Sequence, residues 1–219
     1  MGYLTSESFG SDHRVFSHAV QFYLDDSFLF HMITRLMTSA FNAGDGAIVI
    51  ATAAHHEVLR ERMMQANFDI DVQRNKGTYV AVDVSEVVAR CTKGGTLQVP
   101  MLAQLLTSTL GEVTEATGKP LSRTFVFGEL VALLCAQGNF EDLFAFEQVG
   151  EGLRREYLVS ILCGYAIRLF EREGMEKFFL QVCATHPTVI SPDAYPTSES
   201  ERRILRAIAP QAFKSKPDN

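Results

Sequence analysis

The chain has 219 residues, 47% of them hydrophobic and 21% charged, with a formal net charge of −6. That length and apolar content suit one buried core, or one domain with an appendage, rather than two full domains. Lys and Arg are scattered among the acids, which excludes a basic face for a phosphate backbone, and no apolar run approaches a bilayer span, so neither direct nucleic-acid binding nor a membrane is expected and the protein reads as cytoplasmic.

A polar leader, residues 1–14, precedes His18-Ala-Val-Gln-Phe-Tyr23, an apolar and aromatic run of strand length followed by the helix-starting residues Asp25, Asp26 and Ser27. From Phe28 to Ala43 the apolar residues recur at three- and four-residue spacing, predicting a helix that Gly44 stops. Ala47–Ala51 is a β-branched run suited to a strand covered on both faces, and Thr52 is placed to cap a helix over Ala54–Gln65. Tyr79–Asp83 predicts a third strand; Val84–Cys91 and Val99–Ala116 predict helices, separated by a turn at Lys93-Gly94-Gly95-Thr96. Thr124–Phe127 is a fourth strand, Leu130–Gln137 and Phe140–Arg155 are helical stretches broken at Gly138-Asn139, and Tyr157–Leu162 is a fifth strand. Three prolines then space an extended segment, and Ser198-Glu-Ser-Glu201 resembles a capping box opening a short helix through Ala209.

Strands alternating with crossover helices predict an α/β fold: a mostly parallel central sheet of at least five strands with helices on both faces. The expected organisation is a leader, one domain over residues 15–187, and a C-terminal appendage over residues 188–219. Ligands of such sheets sit beyond the carboxyl ends of the strands. Cys91, Cys135, Cys163 and Cys183 form no C-x-x-C pair, so reduced, buried thiols are expected.

His18-x-x-x-Phe22-Tyr23-x-Asp25-Asp26, then Gly44-Asp45-Gly46 running into Thr52-x-x-His55, then Phe127-Gly128-Glu129, then Cys163-x-Tyr165, resemble in order and spacing one family, the MEDS domain of methanogen and methylotroph sensory proteins. The resemblance spans about His18 to Phe170, with His186-Pro187 and Glu201-Arg202-Arg203 similar to the family's tail. It implies a RecA- or KaiC-like core that senses small molecules such as hydrocarbon derivatives, usually fused to a histidine kinase or a DNA-binding regulator domain. Gln148-Val149-Gly150 and Ala166-Ile167 depart from the family pattern, which implies a pocket of different shape.

A RecA-like hydrolase needs a glycine-rich phosphate loop after its first strand, and this chain has Leu24-Asp25-Asp26-Ser27 there. Two carboxylates at a helix start satisfy its N–H groups and repel polyphosphate. Thr117-Gly118-Lys119-Pro120 has Pro where the loop needs Ser or Thr. No ATP hydrolysis and no catalytic residue are expected. Glu129 is expected to cap the next helix or to reach a pocket. His18, Tyr23, Glu129, Cys163 and Tyr165 fall at strand ends and are the candidates for one cleft, joined by Asp25, Asp26 and, from the middle of a helix, Glu147. Glu147 could instead pair with Arg154 or Arg155. His55 and His56, adjacent on a helix, cannot both face one ligand. His18, His186 and Cys163 carry metal-ligand chemistry but lack diagnostic spacing, so neither a metal nor another cofactor is expected. Cys163 has only Arg168 nearby to activate it and is read as a buried thiol. The leading expectation is a sensory domain that binds a small, apolar ligand and relays it through a signalling partner or a homo-oligomer. The alternative is a non-catalytic interaction module acting on a kinase or regulator.

Overall fold

The computed structural model describes residues 2–4 and 17–190. In chain order the elements are β1 (Gly2–Leu4), β2 (His18–Tyr23), α1 (Asp26–Asn42), β3 (Gly46–Ala51), α2 (Ala53–Gln65), α3 (Ile70–Asn75), β4 (Tyr79–Asp83) and α4 (Val84–Cys91). A small hairpin of β5 (Thr92–Lys93) and β6 (Thr96–Leu97) leads into α5 (Val99–Thr117). Then come β7 (Thr124–Gly128), α6 (Leu130–Gln137), α7 (Phe140–Tyr157), β8 (Ser160–Ala166), α8 (Glu176–Thr185) and β9 (Thr188–Ile190).

Seven strands make one sheet in the order β1-β9-β2-β8-β7-β3-β4, and every pairing in it is parallel. The α/β architecture is therefore the expected one. β2, β3 and β8 are buried along their whole length, as strands covered on both faces must be. Alternation along each strand sorts the side chains into two cores. Val20, Phe22, Ile48, Ile50, Ile161 and Cys163 face α4, α5, α6, α7 and α8. Ala19, Tyr23, Ala47, Val49, Phe127 and Leu162 face α1 and α2.

Local chemistry explains most boundaries. Asp25 accepts the Phe28 N–H and starts α1, and Thr52 accepts the His55 N–H and starts α2. Gly138 ends α6 in the left-handed conformation, φ +72°. Gly46 lets α5 approach β3, since a Cβ there would stand 2.1 Å from Val113 Cγ1. Asp45, beside it, is buried against Lys119 Nζ at 3.0 Å and Arg123 at 2.8 Å, so the segment that loosely resembles a phosphate loop instead neutralises a carboxylate.

Three expectations change. α7 runs on to Tyr157, so the last predicted strand starts at Ser160 and not at Tyr157. The helix stops at Leu158, which takes the left-handed conformation (φ +58°) usually left to glycine. Glu129 makes no capping hydrogen bond to α6. Thr188–Ile190, expected to begin the appendage, is a sheet strand between β1 and β2. The predicted helix through Ala209 lies outside the described residues. All four cysteines are buried and unpaired. No helix among the described residues is long and apolar enough to cross a membrane.

Candidate functional site

The expected cleft residues fall into two groups. At the carboxyl edge of the sheet, the connections after β3 and β7 leave toward opposite faces, because α2 packs in one core and α6 in the other. That divergence makes the crevice where open α/β sheets hold ligands. Here Glu129 bridges it: its Oε2 accepts the Thr52 N–H at 3.3 Å and the His55 ring Nδ1–H at 2.8 Å. Asp26 stands 3.8 Å from His55 Nε2. The hydrogen bond to Glu129 raises the His55 pKa, outweighing partial burial. Burial, then the charges of Glu129 and Asp26, push the Tyr23 hydroxyl well above its ordinary range, so it stays protonated. Tyr23, Asp25, Asp26 and Glu129 thus share this edge, with Asp25 committed to its cap. His56 turns away and bonds the Val82 carbonyl at 3.0 Å.

The second group lies inside the domain, between the sheet and α7–α8. His18 and Cys163 project from β2 and β8 onto one face, and Glu147 and His186 meet them from α7 and from the end of α8. All four are buried. Cys163 Sγ lies 3.6 Å from both His18 Nε2 and Glu147 Oε2. Glu147 Oε2 lies 3.5 Å from His18 Nε2 and 3.2 Å from His186 Nε2. Outside this quartet Glu147, His18 and His186 are each tethered. Tyr165 donates its hydroxyl to Glu147 Oε1 at 2.7 Å. His18 Nδ1–H donates to Glu151 Oε2 at 3.3 Å, and His186 Nδ1–H donates to the Val182 carbonyl at 2.8 Å. Arg154 and Arg155 hold Glu151, not Glu147.

Electrostatics follow from this packing. Burial opposes ionisation of Glu147, but His186 and His18 hold its carboxyl well below the usual carboxylate range. Burial and then the Glu147 charge push the Cys163 thiol and the Tyr165 hydroxyl up. Burial disfavours a charged His186, yet Glu147 raises its pKa overall. A protonated, unactivated Cys163 is no nucleophile.

Against Cys163 lies a cavity of about 30 Å³. Ile48, Ile50, Leu106, Leu110, Phe146 and Ile161 form most of its wall, and Gly150 of α7 opens it toward His18. One water needs about 10–15 Å³ measured this way, so the space holds only a very small guest.

The sequence offers His18, Cys163 and Tyr165 as residues of strand starts and ends and Glu147 as a helix residue turned toward the interior or paired on the surface; the structure brings the four together inside the domain. Sequence reasoning weighed His186 only as a distant metal ligand and passed over Glu151. A signal existed: Leu143, Phe146, Glu147 and Gly150 share the 3-4 spacing of the buried face of α7, and Glu151 follows Glu147 by one turn.

The fold is an α/β domain with an all-parallel sheet and buried polar groups, with no phosphate loop after β2. The chain belongs to the MEDS family, the MEthanogen/methylotroph, DcmR Sensory domain, whose model matches residues 17–187. It is thus a member of a sensory-domain family. No curated protein and no solved structure matches it.

Proposed function

We propose that this sensory domain works in the cytoplasm, takes a small apolar guest of a few heavy atoms into the cavity beside Cys163, and passes its occupancy to another chain. The observation that carries this reading is the cavity: a space lined by aliphatic and aromatic side chains favours apolar guests over water. It abuts the buried polar cluster, so a guest that shifts Phe146 or Cys163 also shifts the tethered residues of β2, β8 and α7. The receiving chain is a signalling protein such as a histidine kinase or transcription regulator, or a second copy. A nucleotide is a poor candidate guest, because Asp25 accepts the Phe28 N–H at 3.0 Å at the start of α1 and Asp26 adds a second negative charge.

The test is thermal unfolding of the full chain in the presence of short alkanes and halogenated or methylated one-carbon compounds, beside ATP with Mg²⁺. A fitting guest at a hundred times its Kd adds about 2.7 kcal/mol, or roughly 5–10 °C for a chain of this size. Stabilisation by nucleotide alone would refute the reading. Silence with every compound would favour an interaction module without a ligand.

A further inference from the structure

We propose that His18 Nε2, Glu147 Oε2, Cys163 Sγ and His186 Nε2 form a tetrahedral site for one divalent transition-metal ion, with Zn²⁺ the ion that fits. The site stands on its own geometry and does not depend on what the cavity holds.

Zinc bonds of about 2.0–2.2 Å to nitrogen and oxygen and about 2.3 Å to sulfur place tetrahedral neighbours about 3.3–3.6 Å apart. Four of the six edges of this quartet are 3.6, 3.6, 3.5 and 3.2 Å. The remaining two are within 4.8 Å. One point therefore lies at bonding distance from all four atoms after small side-chain adjustments.

A carboxylate and a carbonyl only accept hydrogen bonds, so Glu151 and Val182 fix the hydrogens of His18 and His186 on Nδ1. Both Nε2 atoms then turn their lone pairs toward the centre. Tyr165 occupies Glu147 Oε1 and leaves Oε2 facing the same point. With both imidazoles neutral, the form that binds metal, three acceptors share a single thiol hydrogen. His186 Nε2, in a residue only 1% exposed, has no hydrogen-bond partner despite standing 3.2 Å from Oε2. A cation at the centre satisfies all of them at once.

Metal-binding histidines characteristically donate their other N–H to a carboxylate or backbone carbonyl, and metal-binding carboxylates are hydrogen-bonded in turn. This site shows all three. Charge also balances: one carboxylate and one thiolate neutralise a divalent ion, and the Cys163 proton leaves to solvent when the metal binds. Two imidazoles, a thiolate and a carboxylate in tetrahedral array suit Zn²⁺ better than Mg²⁺ or Ca²⁺, which take oxygen ligands in larger number. With four protein ligands and no open position the ion is structural, pinning β2, β8, α7 and the end of α8 to one point. Because the site is enclosed, the ion enters during folding.

The test uses the full chain without a polyhistidine tag, produced in zinc-supplemented medium and analysed for metal, then unfolded with chelator and refolded with Co²⁺. One equivalent of Zn²⁺ is expected. The Co²⁺ form should show the intense visible bands of a tetrahedral ion and a near-ultraviolet thiolate-to-cobalt band that disappears in Cys163→Ser. Tyr165→Phe, which removes only a tether, should weaken Zn²⁺ binding by about 10–100-fold. His55→Gln, at the other histidine–carboxylate pair, should keep the full equivalent. Wild-type protein that carries no metal and gives no tetrahedral cobalt spectrum would overturn the proposal, as would a spectrum unchanged by Cys163→Ser and Tyr165→Phe.

Discussion

Gly150 and Gly152 sit two residues apart in α7 and separate two effects cleanly. Both pay the conformational cost of glycine in a helix, so replacing either by Ala should stabilise the fold by about 0.5–1 kcal/mol. Only Gly150 lines the cavity. A Cβ there would sit 3.8 Å from Ile161 Cδ1 and 3.9 Å from His18 Nε2, ordinary contact distances, whereas a Cβ at Gly152 meets nothing within 4 Å. Burying the new methyl at Gly150 adds about 0.8 kcal/mol. Gly150→Ala should therefore stabilise by about 1.3–1.8 kcal/mol and Gly152→Ala by about 0.5–1, shifts of roughly 3–7 °C and 1–4 °C at about 2–4 °C per kcal/mol. The same methyl takes up guest space. Thermal unfolding with and without the best apolar compound should show Gly150→Ala more stable alone and less responsive to the guest, with Gly152→Ala fully responsive. If Gly150→Ala destabilises the protein, or leaves the guest response intact, the cavity assignment fails.

Two further outcomes follow from charge. Because Glu129 raises the pKa of His55, that pair's contribution should be complete below about pH 6.5, the ordinary histidine value, and fade as pH rises through the elevated one. Wild-type Tm should lose ground to His55→Gln over that interval, and a flat difference would refute the pairing. Asp45 is fully buried while Lys119 and Arg123 are about one-third exposed. Removing both cations takes two charge partners from a buried carboxylate and should cost about 3–5 kcal/mol in denaturant unfolding; Asp45→Ala, which leaves two cations that water can reach, should cost clearly less.

Elements written by strong local chemistry were legible in the sequence. β3, β4, α2 and α4 lie within a residue or so of their predicted limits, because β-branched runs and the Thr52 cap mark the first three and Asp83, which ends β4, caps α4 in the structure. The α7–β8 boundary was not, since Leu158 takes a turn conformation that leucine rarely signals. β9 was missed because three residues between prolines carry no period, and only the gap beside β2 gives them a partner. For the site, residue types pointed the right way and topology was the missing information. His18 and Cys163 are 145 positions apart in sequence and meet only because β2 and β8 are neighbours. The Glu129–His55 contact likewise needs the order β7-β3, which no spacing along the chain encodes.

The place of β2 in the sheet bears on how the protein is made. Both neighbours of this strand, β8 and β9, come from the last part of the described chain. During synthesis His18–Tyr23 therefore emerges with two open hydrogen-bonding edges and waits for nearly the whole domain before either is paired. Such non-local closure is slow and leaves an apolar strand exposed to other chains. Gln21 interrupts the run of Ala19, Val20, Phe22 and Tyr23, and His18 heads it, so the residue that later serves the buried cluster also puts a polar side chain at the start of the segment most at risk of pairing wrongly on the ribosome.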